Sequence, residues 1–170
     1  MTTAASPEGY SIALATAQDL EDLLPLMRAY CDFYETAPSD AALLELSRTL
    51  LADPDREGVQ LIARDERSLA VGFATVFWSW DTTEAARVGI MNDLYLAPQA
   101  RGSGLADALI GACVEECALA GAVRLDWVTG PANARAQAVY ERFGATREAW
   151  LNYTIGVAGS EPAASADEDS

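Results

Sequence analysis

Apolar and polar residues alternate from Tyr10 to Ala15 as they do along a half-buried strand, and Thr16 followed by Asp19 then has the form of a capping box. The pattern predicts a strand and then a helix to about Cys31, with Pro25 inside it as a point of kinking. Ser39 suits the N-cap of a second helix, which Asp53-Pro54 stops after Ala52. Val59 to Arg64 and Leu69 to Trp80 are β-rich runs joined by the polar Asp65-Glu66-Arg67-Ser68, the pattern of a hairpin. Arg87 to Leu96 adds another antiparallel strand. From Gly102 the period becomes helical, with Leu105, Leu109, Ala112 and Cys113 on the pattern and a stop at Gly121. Val123 to Thr129 then reads as a strand, Asn133 to Arg142 as a short helix and Thr146 to Ile155 as a last strand.

The resulting order, β-α-α-β-β-β-α-β-α-β, favours a single α/β domain with a mixed sheet covered by helices, and its expected ligand site is the strand-turn-helix over residues 90–120. At 170 residues, 51% of them apolar, the chain fills one core and not two. No apolar run reaches the ~18 residues of a membrane span, and Met1 to Gly9 lacks the regions of a signal peptide, so a cytoplasmic protein is expected. The expected layout is a flexible N-terminus over 1–9, the domain over 10–155 and a disordered acidic tail over 156–170. In that tail Glu161, Asp167, Glu168 and Asp169 stand among Pro, Ala and Ser.

A net charge of -15 argues against nucleic acid and anionic membrane as partners, since both require a basic patch, and it is compatible with attraction of cationic small molecules. All 11 basic residues are arginine, which removes lysine Schiff-base chemistry and lysine-dependent phosphate loops. With no histidine, and only Cys31, Cys113 and Cys117, neither a metal site nor a disulfide framework is expected; Cys113 and Cys117 read as reduced core thiols.

Gln99-Ala100-Arg101-Gly102-Ser103-Gly104 joins a β run to a helix. The outward N–H groups at such a helix start, together with the helix dipole, cradle a diphosphate, and glycine at 102 and 104 keeps a Cβ from holding the phosphates away. Arg101 adds positive charge at the rim. A lone Gly-x-Gly is more often a plain loop. The third glycine of a dinucleotide fingerprint is absent, Asp107 standing in its place, and the strand comes late in the order, which argues against a dinucleotide fold.

These residues resemble the GNAT superfamily of N-acetyltransferases, whose diphosphate signature Q/R-x-x-G-x-G/A is matched by Gln99 to Gly104 at every fixed position. Asn92-Asp93-Leu94-Tyr95-Leu96 resembles the family's fourth strand, and Asn133 through Tyr140 to Ala145 resembles its N-x-x-A-x-x-x-Y-x-x-x-G segment. The likeness spans residues 10–155. It implies a mixed, mostly antiparallel sheet, splayed between strands four and five by a bulge and flanked by about four helices. It implies acetyl-CoA as co-substrate, its arm along Leu94, Tyr95 and Leu96, its diphosphate on Arg101, Gly102, Ser103, Gly104, Leu105 and Ala106, and Asn133 with Ala136 on the far side. Homodimers are also common among the proteins it resembles.

By the same resemblance the reaction is direct attack of an amine on the thioester, with Tyr140 as general acid; the other reading of Tyr140 is simple core. Relatives acting on polyamines often carry Glu-Asp where this chain has Asn92-Asp93. Asp93, working through water, is then the first candidate for the base and Asp126 the second, unless either only orients substrate or caps a loop. Tyr30-Cys31-Asp32-Phe33-Tyr34-Glu35 is an acidic, aromatic cluster suited to an amine cation. Asp32, Tyr34, Glu35, Asp126 and Trp127 are the expected acceptor residues, and Trp78 and Trp80 are further walls or core. The acceptor expected is a small cationic amine. The competing reading is a catalytically silent acetyl-CoA sensor, which Asn92 favours.

Overall fold

A computed structural model of the chain describes residues 6–157. The elements are β1 (Tyr10–Leu14), α1 (Leu20–Phe33), α2 (Asp40–Ala52), β2 (Gly58–Asp65), β3 (Ala70–Asp81), β4 (Ala86–Leu96), α3 (Leu105–Leu119), β5 (Leu125–Asp126) and α4 (Ala134–Phe143). The sheet order is β1-β2-β3-β4-β5, antiparallel at every pairing except β4 with β5, which is parallel. This is the mixed, mostly antiparallel sheet expected, and the order of elements agrees with the sequence pattern as far as α4.

Local chemistry explains where the first helices begin. The Asp19 carboxylate accepts from the Thr16 N–H at 2.8 Å while the Thr16 hydroxyl accepts from Gln18, so the capping box forms, on a short 3₁₀ turn that leads into α1. Asp19 also takes Arg64 of β2 at 2.7 Å, which fixes the helix start to the sheet. Ser39 accepts from Ala42 and starts α2.

Each face of the sheet has its own cover. Leu23, Leu26, Met27 and Leu43 of α1 and α2 pack on Ile62 and Phe73. On the opposite face α3 lays Leu105, Leu109, Cys113 and Cys117 on Leu61, Val71, Val76 and Met91. Full burial of each such large side chain contributes about 1.5–3 kcal/mol. The approach of α3 is close enough to require Gly89: a Cβ there would lie 2.4 Å from the Cys117 Sγ.

Two strand expectations are corrected. β5 is only Leu125–Asp126 and not Val123 to Thr129, because its one neighbour diverges from it after Ile90. Thr146 to Ile155 forms no strand, although its apolar positions suit one. A strand needs a partner for its N–H and C=O groups and a face for its side chains. Here Trp150, Leu151, Tyr153 and Ile155 are 81–91% exposed and have neither. Gly156 and Val157 are irregular, and the rest of the expected acidic tail, like residues 1–5, lies outside the described residues. Among the described residues no helix is long and apolar enough to cross a membrane.

Candidate active site

The site begins at one extra residue. Thr75 of β3 pairs with Asp93 and Val76 pairs with Met91, so Asn92 is left between them as a β-bulge. On its other edge β4 pairs with β5 only at Gly89–Leu125 and Ile90–Asp126, immediately before the bulge. Beyond it the strands part. The wedge between them is walled by Asn92, Leu94, Tyr95 and Leu96 on one side and by Trp127, Val128 and Thr129 on the other. α4 and its N-cap add Asn133, Ala136, Val139 and Tyr140; α1 and its C-cap add Tyr30, Phe33 and Tyr34.

The open edge of β4 has a definite register. The Ala97 N–H donates to the Val71 carbonyl at 2.8 Å. Strand alternation then turns the Tyr95 backbone to β3 as well, and turns the N–H and C=O groups of Leu94 and Leu96 toward the wedge. The Leu96 carbonyl accepts from Arg101 Nε at 3.0 Å, in keeping with that direction. Leu94 and Leu96 therefore present backbone to the cleft, whereas Tyr95 presents its ring, over which the Arg101 guanidinium lies at 5.8 Å.

At one end of the wedge is the glycine turn. Gly102 and Gly104 both have φ of 86°, a left-handed conformation that costs an ordinary residue about 1–2 kcal/mol. No atom lies within 4 Å of a Cβ built on Gly102, so glycine there serves the turn and keeps its outer side open. The Ser103 hydroxyl donates to the Ala100 carbonyl at 2.8 Å and accepts from the Leu105 N–H at 3.3 Å, holding the turn against the start of α3. Leu105 is buried and offers only backbone, Gln99 is exposed, and Ala106 reaches the cleft wall. Asp107, whose charge at this helix start opposes an anion, is paired with Arg142 of α4 at 2.5 Å. Arg101 and Arg135 line the cleft, and among the described residues no carboxylate does. An anion-compatible cleft thus lies in a chain of net charge -15.

α4 is cut to length by the residues that mark its sequence. The Asn133 side chain accepts from the Ala136 N–H at 3.2 Å, and Gly144, with φ of 98°, closes the helix. Tyr140 projects between, edge-on to Trp127 with ring centroids 5.2 Å apart. Burial, and secondarily Tyr34, raises the Tyr140 pKa and keeps the phenol protonated.

Asp93 lies behind the cleft wall, 8% exposed, on the face covered by α1. It accepts from Asn92 Nδ2 at 3.0 Å, and the hydroxyls of Thr75 and Tyr30 stand beside it and favour its ionised form. Thr75 in turn accepts from Gln60 Nε2 at 3.2 Å. Burial raises the Asp93 pKa against the lowering effect of these neighbours. Asp126 is engaged elsewhere, held by Arg124 at 2.8 and 3.0 Å, with Asp81 and Glu84 on the same guanidinium at 2.5 and 2.6 Å. Of the expected acceptor residues Tyr34 and Trp127 line the wedge, while Asp32 and Glu35 are exposed and off its wall. Trp78 donates to the Pro54 carbonyl and Trp80 is 74% exposed; neither lines the cleft. Tyr30 and Phe33, from the aromatic cluster expected to suit an amine cation, also line it, and Arg135 lines it without having been expected as a site residue. Arg135 stands one turn before Val139, which shares its wall, so helical spacing was the signal available.

The profile of the Acetyltransferase (GNAT) family matches residues 20–145. The chain is 27% identical over 148 residues to an uncharacterized N-acetyltransferase, YhfO, of Bacillus subtilis (strain 168), covering 86% of this chain and 97% of that one. A solved structure of a probable acetyltransferase is 29% identical, with a TM-score of 0.76 and coverage of 88% of this chain and 99% of that one. The fold is shared with an aminoglycoside N-acetyltransferase solved in complex with CoA, at a TM-score of 0.76, 21% identity and coverage of 86% and 94%.

Proposed function

The chain belongs to the GNAT acetyltransferase family and is an acyl-CoA-dependent acetyltransferase, and from that premise we propose that it moves the acetyl group of acetyl-CoA to a primary amine on a small cationic acceptor. The observation that carries the reading is the wedge between β4 and β5, with the glycine turn at one end and Tyr140 on its wall.

The residues present fit the donor. The turn from Gly102 to the first residues of α3 offers backbone amides and a helix N-terminus to the diphosphate, and Arg101 and Arg135 supply positive charge. Leu94 and Leu96 offer strand-like pairing to the amides of the arm, and Asn133 and Ala136 flank it. Bound there, acetyl-CoA supplies an acetyl group activated as a thioester.

The chain's own groups then divide the work. The Leu94 N–H, the first open-edge amide past the bulge, stabilises the negative charge that develops on the carbonyl oxygen. Asp32 and Glu35, exposed at the end of α1, attract the ammonium toward the cleft, where Tyr34 and Trp127 offer aromatic surface. Asp93 receives the proton that the ammonium must lose. Tyr140 is the general acid, giving its phenolic proton to the leaving thiolate.

The test is incubation with acetyl-CoA and a panel of polyamines, aminoglycosides, amino acids and peptide N-termini, with products identified by mass spectrometry. Acetylation at a primary amine of a cationic member is expected. Transfer confined to hydroxyls, or to neutral amines, contradicts the acceptor class.

A further inference from the structure

The described wall of the cleft holds no carboxylate, yet an ammonium must lose a proton there. Asp93 lies behind that wall. Two side chains connect it with the cleft: Asn92 and Tyr30 both line the wedge, Asn92 bonds to Asp93 and the Tyr30 hydroxyl stands beside it. An amide does not pass protons on at useful rates, whereas a hydroxyl donates and accepts at once. The Tyr30 ring is held by edge contacts with Phe73 and Tyr34, at centroid distances of 6.0 and 5.0 Å. Its hydroxyl donates to the Asn92 carbonyl at 3.1 Å, with the Asp93 carboxyl and the Tyr34 hydroxyl beside it.

We propose that Tyr30 is the proton relay between the acceptor site and Asp93. The inference rests on the acetyl-transfer reading above. The Tyr30 hydroxyl first turns its proton from the Asn92 carbonyl to the Asp93 carboxylate; as the ammonium N–H bond breaks, the ammonium proton bonds to the Tyr30 oxygen while the proton already on Tyr30 moves to Asp93. The products are a neutral amine, a neutral phenol and a neutral carboxylic acid. The two transfers are concerted, because burial, Asp93 and Tyr34 all disfavour a phenolate at Tyr30. Among the described residues the titratable groups facing Asp93 are Tyr30 of α1 and, through it, Tyr34 at the end of that helix. β3 presents the uncharged Thr75, backed by Gln60 of β2, and β4 itself presents Asn92. The relay works only while Asp93 is ionised. Burial raises its pKa, so turnover falls off on the acid side above the ordinary carboxylate range.

The experiment compares the wild type, Tyr30→Phe and Asp93→Asn in the pH profile of kcat/KM for an accepted amine, with acetyl-CoA affinity measured by calorimetry. Both variants are expected to lose about 100-fold in turnover, to lose the acid limb and to keep acetyl-CoA affinity. Tyr30→Phe retains the ring packing, so a structural role alone leaves the limb in place. A Tyr30→Phe enzyme with wild-type rate and limb overturns the relay while leaving acetyl transfer intact; wild-type protein that transfers to no amine contradicts the transfer reading instead. A readout independent of turnover is the titration of the Asp93 carboxyl carbon by NMR. Loss of the Tyr30 hydroxyl shifts its midpoint upward, and an unmoved midpoint overturns the relay.

Discussion

The ring of Tyr140 meets the indole of Trp127 edge-on, with centroids 5.2 Å apart. The contact ties α4 to the chain just past β5, across from the open edge of β4, and such pairs contribute about 0.5–1.5 kcal/mol beyond burial. Packing and chemistry at Tyr140 are therefore separable by one atom.

Tyr140→Phe keeps the ring on Trp127 and removes the hydroxyl. Turnover is expected to fall about 100-fold while acetyl-CoA affinity and thermal stability stay unchanged, as read by steady-state kinetics, calorimetry and melting. Undiminished turnover makes Tyr140 a packing residue only.

Asp126 is the other carboxylate considered for the base, and Arg124 already engages it. Asp126→Asn leaves Arg124 bound to Asp81 and Glu84. The pH profile of the variant is expected to overlay that of the wild type; disappearance of its acid limb transfers the role from Asp93 to Asp126.

Asp93 carries a stability cost. Its folded pKa lies above the unfolded value, so its contribution to stability is most favourable at low pH and declines as pH rises through the folded pKa. Asp93→Asn is accordingly expected to raise the melting temperature near neutral pH while reducing activity, and the gain is expected to vanish below the ordinary aspartate pKa. Melting curves across pH check it, and a variant less stable than wild type at neutral pH contradicts it.

Glycine is required for different reasons at two positions. Gly102→Ala meets no neighbouring atom but must hold φ of 86°. It is expected to lose about 1 kcal/mol of stability, with acetyl-CoA affinity falling as the new Cβ stands where the diphosphate approaches. Gly89→Ala forces a Cβ to 2.4 Å from the Cys117 Sγ, so it destabilises the fold by overpacking. Denaturation and calorimetry on both variants separate the two effects; equal loss of stability with unchanged affinity at Gly102 removes the turn from the donor site.

Most helices and strands were legible because their signals are local. The Thr16–Asp19 box, the Ser39 cap, the Asp65 to Ser68 turn and the Gln99 to Gly104 turn each state their conformation within a few residues. What the sequence could not supply depends on neighbours. Trp150 to Ile155 carries a strand's pattern but has no strand beside it. The sequence singles out Asp93 as the candidate base beside Asn92, but only the register of β3 makes Asn92 the bulge and sends Asp93 to the covered face. The acidity of Asp32 and Glu35 suggested cleft residues, but the end of α1 turns Tyr30, Phe33 and Tyr34 inward instead.

The most direct test of the account is the release of coenzyme A thiol from acetyl-CoA, followed with and without a primary-amine panel, for wild type and Tyr140→Phe side by side. The wild type is expected to show amine-dependent release, matched mole for mole by N-acetylated product and strongly reduced in the variant. Saturable binding of acetyl-CoA with no release in the presence of any amine contradicts it.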